Sequence, residues 1–295
     1  MMTALWRVLA NSTPHWAVGP PAEGPRRFLD ESFSLDSLLE AADSTSLLQS
    51  LPITEAQVPP TVSVLPPIEG QEVWASGVTF DRSLAGRAEE SQDEDVYDRV
   101  FSASRPELFF KSTPERVRGT HQTISIRSDS DWNVPKPEMT LVVNATGQLV
   151  AVTLGNDVSS RSIEAENPLY LPQAKIFTGS CAIGPCLVPV MDPADLRDLV
   201  VSLAIVRNET VIFRDSVAFA DMRRKPSELI DWLFRCLEFP RGVVLMTGTW
   251  IVPRYEFTSK VNDKVIVDVP ELGSLVNSVK VWKTKARAVT EGALR

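Results

Sequence analysis

Short hydrophobic runs separated by turn residues dominate the chain from Arg105 onward. Turn signals join many of these runs, for example Asn144 to Gly147 and the pair Asn208 and Glu209. Helical patterns do not alternate with the runs, which argues against a doubly wound parallel sheet. The pattern predicts an α+β fold that is mainly β and mainly antiparallel. The predicted strands are LFFK, TISIRS, MTLVVN, LVAVTLG, CLVPV, LVVSLAIVRN, VVLMTGTWIV and KVIVDV.

The first 51 residues predict a smaller unit with its own strands and helix. Two short strands, Leu5 to Leu9 and His15 to Val18, come before a segment with helical spacing. The apolar positions of that helix are Leu35, Leu38, Leu39 and Ala42. A proline-rich segment follows, and proline keeps such a segment out of central strands. We therefore predict a small N-terminal α+β domain with its linker at 1–68, and a larger domain at 69–295.

One helix is predicted late in the chain, over the segment PSELIDWLFRCLEF. Pro226 suits the first turn of a helix, because its missing N–H would be unpaired there in any case. The positions that share one face are Leu229, Trp232, Leu233 and Cys236.

Composition excludes two classes of partner. The net charge is -8 and no basic block is present, so the electrostatic footprint of nucleic-acid binding is missing. The longest apolar run, Leu199 to Val206, is far shorter than the ~20 residues of a membrane span. The N-terminus lacks the pattern of a signal peptide. We expect no nucleic-acid partner and no membrane insertion.

The cysteines predict a reducing compartment. Cys181, Cys186 and Cys236 form an odd and sparse set, which favours free thiols and a cytoplasmic location over a disulfide framework. A zinc site would need further ligands, and the chain offers only His15 and His121 as histidines.

Several motifs between residues 77 and 253 occur in a characteristic order. They are GVTF, RPELFFK, WNVPKPE, GNDVSSR, ENPLYLPQAK, GSCAIGP and TGTWIVP. Together they resemble the fumarylacetoacetate hydrolase superfamily, and the branch that dehydrates 2-keto-3-deoxy sugar acids is the nearest match. The resemblance covers roughly residues 70–285. It implies a mixed β-roll catalytic domain, a homodimer and a small 2-oxo acid as substrate.

Two of these motifs bring acidic residues together. MTLVVN and LVAVTLG are joined by a short loop near Thr146, which predicts a hairpin with Glu138 nearly opposite Leu154. Side chains alternate along a strand, so Lys136 and Glu138 project from the same face and Asp157 can reach it.

The resemblance implies a Mg2+ or Mn2+ site, because family members use Glu-x-Glu and a distant Asp as three oxygen ligands. Glu138 and Asp157 match two of these ligands, but Lys136 stands at the position of the first Glu. Three carboxylates with Mg2+ sum to -1, as do two carboxylates with one lysine. The site is therefore a weakened metal site, a metal-free site with Lys136 as counter-ion, or an inactive site. Lys136 can also turn to solvent while metal binds weakly.

The resemblance also assigns roles to residues around the substrate. Lys175 would stabilise an enolate and Glu107 would act as general acid and base. Thr249 would hold the substrate carboxylate, with Gly248 allowing close approach of the backbone. The remaining expected substrate contacts are Phe80, Arg82 and Arg87.

Three functions follow as alternatives from these residues. The first is dehydration of a 2-keto-3-deoxy sugar acid or a related 4-hydroxy-2-oxo acid through an enolate. The second is carbon–carbon hydrolysis or decarboxylation of an acylpyruvate-like acid, which is weakened because the stretch 78–104, the expected lid, has no histidine. The third is a catalytically silent homologue that binds a ligand.

Overall fold

The computed structural model describes residues 3–80 and 99–283. No helix among them is long and apolar enough to cross a membrane. The helices are α1 (Leu35–Glu40), α2 (Ser44–Gln49), α3 (Arg161–Glu166), α4 (Leu171–Lys175) and α5 (Pro226–Leu233), with single 3-10 turns at Pro114–Arg116, Pro168–Tyr170, Pro193–Leu196 and Phe219–Asp221. The strands are β1 (Ala4–Ala10), β2 (Thr13–Gly19), β3 (Arg27–Leu29), β4 (Ile53–Gln57), β5 (Ser63–Val64), β6 (Glu72–Gly77), β7 (Glu107–Ser112), β8 (Thr123–Ile126), β9 (Asn133–Val134), β10 (Pro137–Val143), β11 (Leu149–Asp157), β12 (Ser159–Ser160), β13 (Cys181–Pro189), β14 (Val200–Arg207), β15 (Thr210–Ala218), β16 (Val243–Met246), β17 (Lys264–Val269) and β18 (Gly273–Val281).

Two large sheets organise these strands. The larger has 11 strands in the order β4-β3-β2-β1-β13-β11-β10-β16-β6-β7, with β5 paired to β1. The smaller has the order β15-β14-β17-β18-β8, and β12 pairs with β9 in a ribbon. Pairing is antiparallel except between β16 and β6 and between β18 and β8. The predicted mainly β, mainly antiparallel fold class is confirmed.

The N-terminal strands belong to the same sheet as the later ones. Strand β1 pairs with β13, where Leu5 lies opposite Leu187, and both side chains are fully buried in one apolar cluster. The proline-rich segment contributes β4 at the end of the sheet and the two-residue β5, in agreement with the exclusion of proline from central strands. The domain boundary near residue 68 stays a prediction, and hydrogen bonds of the sheet cross between the two parts.

Two predicted helices end earlier than expected. Ser34 caps α1 by accepting a hydrogen bond from the N–H of Ser37, but the backbone turns extended at Ala41 and a second helix starts at Ser44. Ala42 is therefore exposed and is not part of the apolar face. Helix α5 begins at Pro226 as predicted and ends at Leu233, which leaves Cys236 exposed.

The central hairpin β10–β11 carries the acidic residues, with a register shifted by one from the prediction. Val143 pairs with Leu149 but Val142 pairs with Ala151, so the ladder contains a bulge. Glu138 consequently lies opposite Gly155, and the N–H of Asp157 donates to the carbonyl of Lys136 at 2.9 Å. The bulge thus brings Lys136 directly beside Asp157.

Candidate active site

Asp157, at the end of β11, is the centre of a buried charged cluster. Lys111 on β7 places Nζ 2.5 Å from Oδ1 of Asp157, and Lys175 at the end of α4 places Nζ 2.6 Å from Oδ2. All three side chains are almost completely shielded from solvent. The Nζ of Lys175 also donates to Oγ of Ser159, and that of Lys111 donates to the carbonyl of Lys175. Two cations therefore hold both oxygens of one carboxylate.

The surrounding charges set the ionisation states of Asp157 and Lys175. Burial would raise the pKa of the Asp157 carboxyl, but Lys111, Lys175 and Lys136 together hold that pKa below its usual range. Burial would likewise lower the pKa of Lys175, and the charges of Asp157 and Glu164 raise it instead. Asp157 is an anion and Lys175 a cation at neutral pH.

Glu138 is buried on the same face of the hairpin, with a different partner. Its Oε2 accepts a hydrogen bond from the N–H of Gly248 at 2.7 Å. Burial, with the nearby Asp157 charge as the second cause, raises the pKa of Glu138 to about 8. Gly248 has a φ of +85°, and a Cβ there would lie 2.3 Å from Oγ1 of Thr79. Only glycine therefore suits this turn.

Glu107, the predicted proton carrier, opens β7 and lies against β6. It pairs with Gly77, and a Cβ on Gly77 would lie 2.0 Å from Oε2 of Glu107. The carboxyl thus occupies the space that glycine leaves free. Burial raises the pKa of Glu107, while Lys175 and Lys136 lower it and Glu164 raises it further. Glu107 and Lys175 therefore each affect the pKa of the other.

Lys136 contacts a carboxylate that the sequence did not suggest as a site residue. Its side chain is 13% exposed, and its Nζ lies 3.9 Å from Oε2 of Glu164 on α3. Arg161, one turn earlier on α3, brings Nη1 within 3.1 Å of the same oxygen. The GNDVSSR motif already contained Arg161, and Glu164 follows it at helical spacing, which is the signal that could have identified the pair.

Lys111 is the other unpredicted member of the cluster. It ends the RPELFFK motif, and its fully buried position among apolar strands required a carboxylate partner. The partner lies 46 residues away in the sequence and becomes adjacent only in the folded sheet.

The expected substrate contacts are only partly brought together. Thr249 follows Gly248 and is half-buried, and its Oγ1 accepts a hydrogen bond from the N–H of Ile251 at 3.0 Å. Phe80 is 6% exposed and packs within the main apolar cluster. Arg82 and Arg87, and with them most of the expected lid, lie outside the described residues.

The residues at the predicted metal position do not fit a three-carboxylate site. Both oxygens of Asp157 face lysine ammonium groups, one oxygen of Glu138 accepts from Gly248, and Lys136 replaces the third ligand. Within 3–80 and 99–283, no group of three His, Cys, Asp or Glu side chains is arranged to hold a metal ion. In this part of the chain, Glu138 and Asp157 are the two remaining carboxylates of the expected three, and both oxygens of Asp157 are already paired with lysine ammonium groups.

Comparison with proteins of known identity gives consistent matches. The 2-dehydro-3-deoxy-D-arabinonate dehydratase of Saccharolobus solfataricus is 36% identical over 289 residues, which is 97% of this chain and 94% of that protein. A probable 2-keto-3-deoxyxylonate dehydratase of Haloferax volcanii is 44% identical over 213 residues, 72% of this chain and 73% of the relative. Both of these relatives carry dehydratase names.

Solved structures agree with the sequence matches. The apo form of 2-keto-3-deoxy-D-arabinonate dehydratase has a TM-score of 0.81 and 32% identity, and the match covers 96% of this chain and all of that one. A structure of that dehydratase complexed with magnesium and 2,5-dioxopentanoate has a TM-score of 0.79. The model of the fumarylacetoacetate (FAA) hydrolase C-terminal family matches residues 78–280. Because this match spans more than half of the sequence, the chain belongs to the fumarylacetoacetate hydrolase family.

Proposed function

We propose that the chain is a hydro-lyase that removes water from a 2-keto-3-deoxypentonate. The two relatives are named for arabinonate-derived and xylonate-derived acids. In both acids the keto group at C2 and the deoxygenated C3 leave C4 as the only stereocentre. The two acids therefore have the same atoms and bonds and can differ only in configuration at C4. We take 2-keto-3-deoxypentonates as the substrate class.

One observation carries the proposal at the level of residues. Glu107, a carboxyl with a raised pKa, shares a polar cluster with Lys175, a lysine held as a cation by Asp157. Proton abstraction next to a carbonyl needs a base tuned toward neutral pH and a fixed positive charge for the enolate oxygen. We assign these two roles to Glu107, on β7, and to Lys175, at the end of α4.

The proposed roles follow the chemistry of the elimination. Glu107 as carboxylate takes the C3 proton, and the charge of Lys175 stabilises the enolate at C2. Glu107 then returns the proton to the C4 hydroxyl, which leaves as water, so the carboxylate is regenerated. Thr249 is proposed to hold the substrate carboxylate through its hydroxyl. In the resulting enone, a proton shift from C5 to C3 gives the C4–C5 enol, and transfer of the C5 hydroxyl proton to C4 then gives 2,5-dioxopentanoate.

The test is direct observation of this product. We expect purified protein incubated with 2-keto-3-deoxy-D-pentonate to produce an aldehyde signal in the NMR spectrum. Glu107→Gln should lower kcat by at least about a hundredfold, because general acid–base groups contribute factors of that size. Absence of turnover with this acid, together with cleavage of an acylpyruvate, would favour the carbon–carbon hydrolase alternative. Binding without any turnover would indicate a silent homologue.

Two further properties are part of the proposal. A homodimer through the larger β domain is proposed from the family resemblance, and light scattering that gives a dimer mass at micromolar concentration would support it. A cytoplasmic location is proposed because the three cysteines are free thiols.

A further inference from the structure

Two hydrogen bonds fix the backbone of Lys136, one at its N–H and one at its carbonyl. Its N–H donates to Oδ1 of Asn156 at 3.0 Å, and its carbonyl accepts from Asp157 at 2.9 Å. Strand β10 starts at the next residue, so the side chain leaves the backbone on the same face as Glu138. Lys136 therefore enters the charged cluster rather than a surface loop.

The ammonium group lies beside a buried carboxylate of α3. Glu164 is 8% exposed, and among the described residues it is the carboxylate within ion-pair distance of Nζ of Lys136. Burial would raise the pKa of Glu164, but Lys136, Lys175 and Arg161 keep it well below its usual range. A buried anion that is shared by two cations restrains the otherwise flexible lysine stem.

The lysine at position 136 changes the formal charge of the site by the same amount as a bound divalent cation would. Replacing a glutamate by a lysine changes the formal charge from -1 to +1, a gain of two positive charges, which is what Mg2+ would bring. An ammonium also presents three N–H donors, and the carboxylate and keto oxygens of a 2-oxo acid are adjacent acceptors. One lysine can therefore provide both the charge and the hydrogen bonds that such an acid needs.

We propose that Lys136, held in place by Glu164, binds the 2-oxo acid head group directly, so that this chain recognises its ligand without a divalent cation. Lys136 is the binding residue and Glu164 a positioning residue that acts through it. The inference rests on the 2-oxo acid specificity of the proposed function. It goes beyond that function because it names the group that replaces the metal.

The test is calorimetric binding of pyruvate to the full chain after dialysis against EDTA. Pyruvate has the head group but no C4 hydroxyl, so it binds without being dehydrated. We expect the dissociation constant to change by less than about twofold when Mg2+ is added. Binding that is absent after EDTA and restored by Mg2+ overturns the inference, even if the protein is an active dehydratase. Metal-independent binding without turnover supports the inference while the proposed dehydration fails.

Variants of Lys136 sharpen the result. Lys136→Met should weaken pyruvate binding by at least about tenfold, with no recovery in Mg2+. Lys136→Glu should weaken it equally without metal, and Mg2+ should restore it because a third carboxylate is then present. Lys264→Glu, the same charge change at an exposed position on β17, is the matched control and should bind as the parent does. Unchanged binding in Lys136→Met overturns the proposal.

The positioning role of Glu164 has its own readout. Glu164→Gln should weaken metal-free binding in the parent chain but have no effect on Mg2+-dependent binding in Lys136→Glu, because no ammonium remains to be positioned. An equal loss in both backgrounds would indicate a purely structural role. Borohydride reduction in the presence of pyruvate should leave the mass of the chain unchanged. A covalent adduct at Lys136 would mean that a neutral amine reacts with the keto group, which contradicts the ammonium role.

Discussion

At the scale of single residues, the protein keeps four carboxylates and several cations in one poorly solvated region. Their ionisation differs because their partners differ: Asp157 lies between two lysines, whereas Glu138 accepts one backbone N–H. Charged neighbours stabilise the anion of Asp157, and burial favours the neutral form of Glu138. These contrasts give measurable effects on stability.

The first prediction concerns Glu138 and pH. The folded chain keeps the Glu138 proton up to about pH 8, whereas the carboxyl has an ordinary pKa of 4.5. Between pH 4.5 and about 8, the unfolded state thus binds fewer protons than the folded state. The stability that Glu138 contributes is therefore fully present below pH 4.5 and is lost as the pH rises through about 8. In Glu138→Gln the free energy of unfolding should fall less steeply between these pH values.

Urea unfolding at several pH values measures this slope. Glu166→Gln, at an exposed position of the same protein, is the control and should retain the slope of the parent. Identical slopes in Glu138→Gln and the parent would show that Glu138 is ionised in the fold throughout the window.

The second prediction concerns Lys111. Lys111→Met removes one of two cations from the buried Asp157, and leaving a buried charge partly uncompensated typically costs about 3–5 kcal/mol. We expect the urea midpoint of this variant to fall strongly, and Lys264→Met, on the exposed side of β17, to leave it unchanged. A loss within about 0.5 kcal/mol, the size expected for a surface substitution, would mean that Lys175 alone satisfies Asp157.

At the scale of elements, the ends of strands position the reactive groups. Glu107 starts β7 beside Gly77, which ends β6, so the geometry of this strand pair decides where the carboxyl lies. The turn after β16 does the same for Glu138 through the N–H of Gly248. At both places a side chain would occupy the space of a neighbouring polar group, and at Gly248 the positive φ also favours glycine.

The third prediction tests the first of these contacts. In Gly77→Ala the new methyl would lie where Oε2 of Glu107 now lies, so the carboxyl has to rotate away. We expect kcat for dehydration to fall by more than about tenfold while pyruvate affinity stays within about twofold. Because the displaced atoms are the end of a flexible side chain, the unfolding midpoint should change little.

Steady-state kinetics alongside calorimetry separates the two effects. Glu107→Gln is the reference variant and should resemble Gly77→Ala in losing turnover but not binding. Full activity in Gly77→Ala would place the reactive position of Glu107 away from Gly77.

At the scale of the whole molecule, one sheet connects the N-terminal strands to the site. Strand β1 covers the edge of β13, and β13 in turn pairs with β11, which ends at Asp157. Loss of β1 would expose a buried sheet edge and the apolar cluster around Leu5 and Leu187. The small N-terminal part thus supports the strand order on which the charged cluster depends.

The fourth prediction follows from this continuity. The full chain should unfold in a single cooperative transition, and a fragment of residues 69–295 should show no cooperative transition of its own, since β13 loses its pairing with β1. Circular dichroism during urea titration measures both. Co-expression of residues 1–68 should restore the transition. A fragment that unfolds cooperatively at the midpoint of the full chain would instead establish an independent domain at the predicted boundary.

The sequence by itself determined the class of fold and the motif residues of the site. Alternating and continuous apolar runs define strands by local burial alone, so the mainly antiparallel β fold could be predicted. Motif order identified Glu107, Glu138 and Asp157, together with Lys175, as candidates without knowledge of distances. The replacement at Lys136 was also visible as a residue type.

Only the tertiary structure decided which charges meet. The Lys111–Asp157 pair and the Lys136–Glu164 pair join segments that are distant in sequence, and local periodicity contains no information on such pairs. The bulge near Val143 shifted the hairpin register by one, because the extra residue is accommodated in the ladder rather than in the loop. Helix α1 stopped before Ala42 because its backbone turns extended at Ala41, although the apolar spacing continued. The sequence shows the residue types and the local spacing of apolar positions. Long-range packing decides which charged groups become neighbours and therefore how each one ionises.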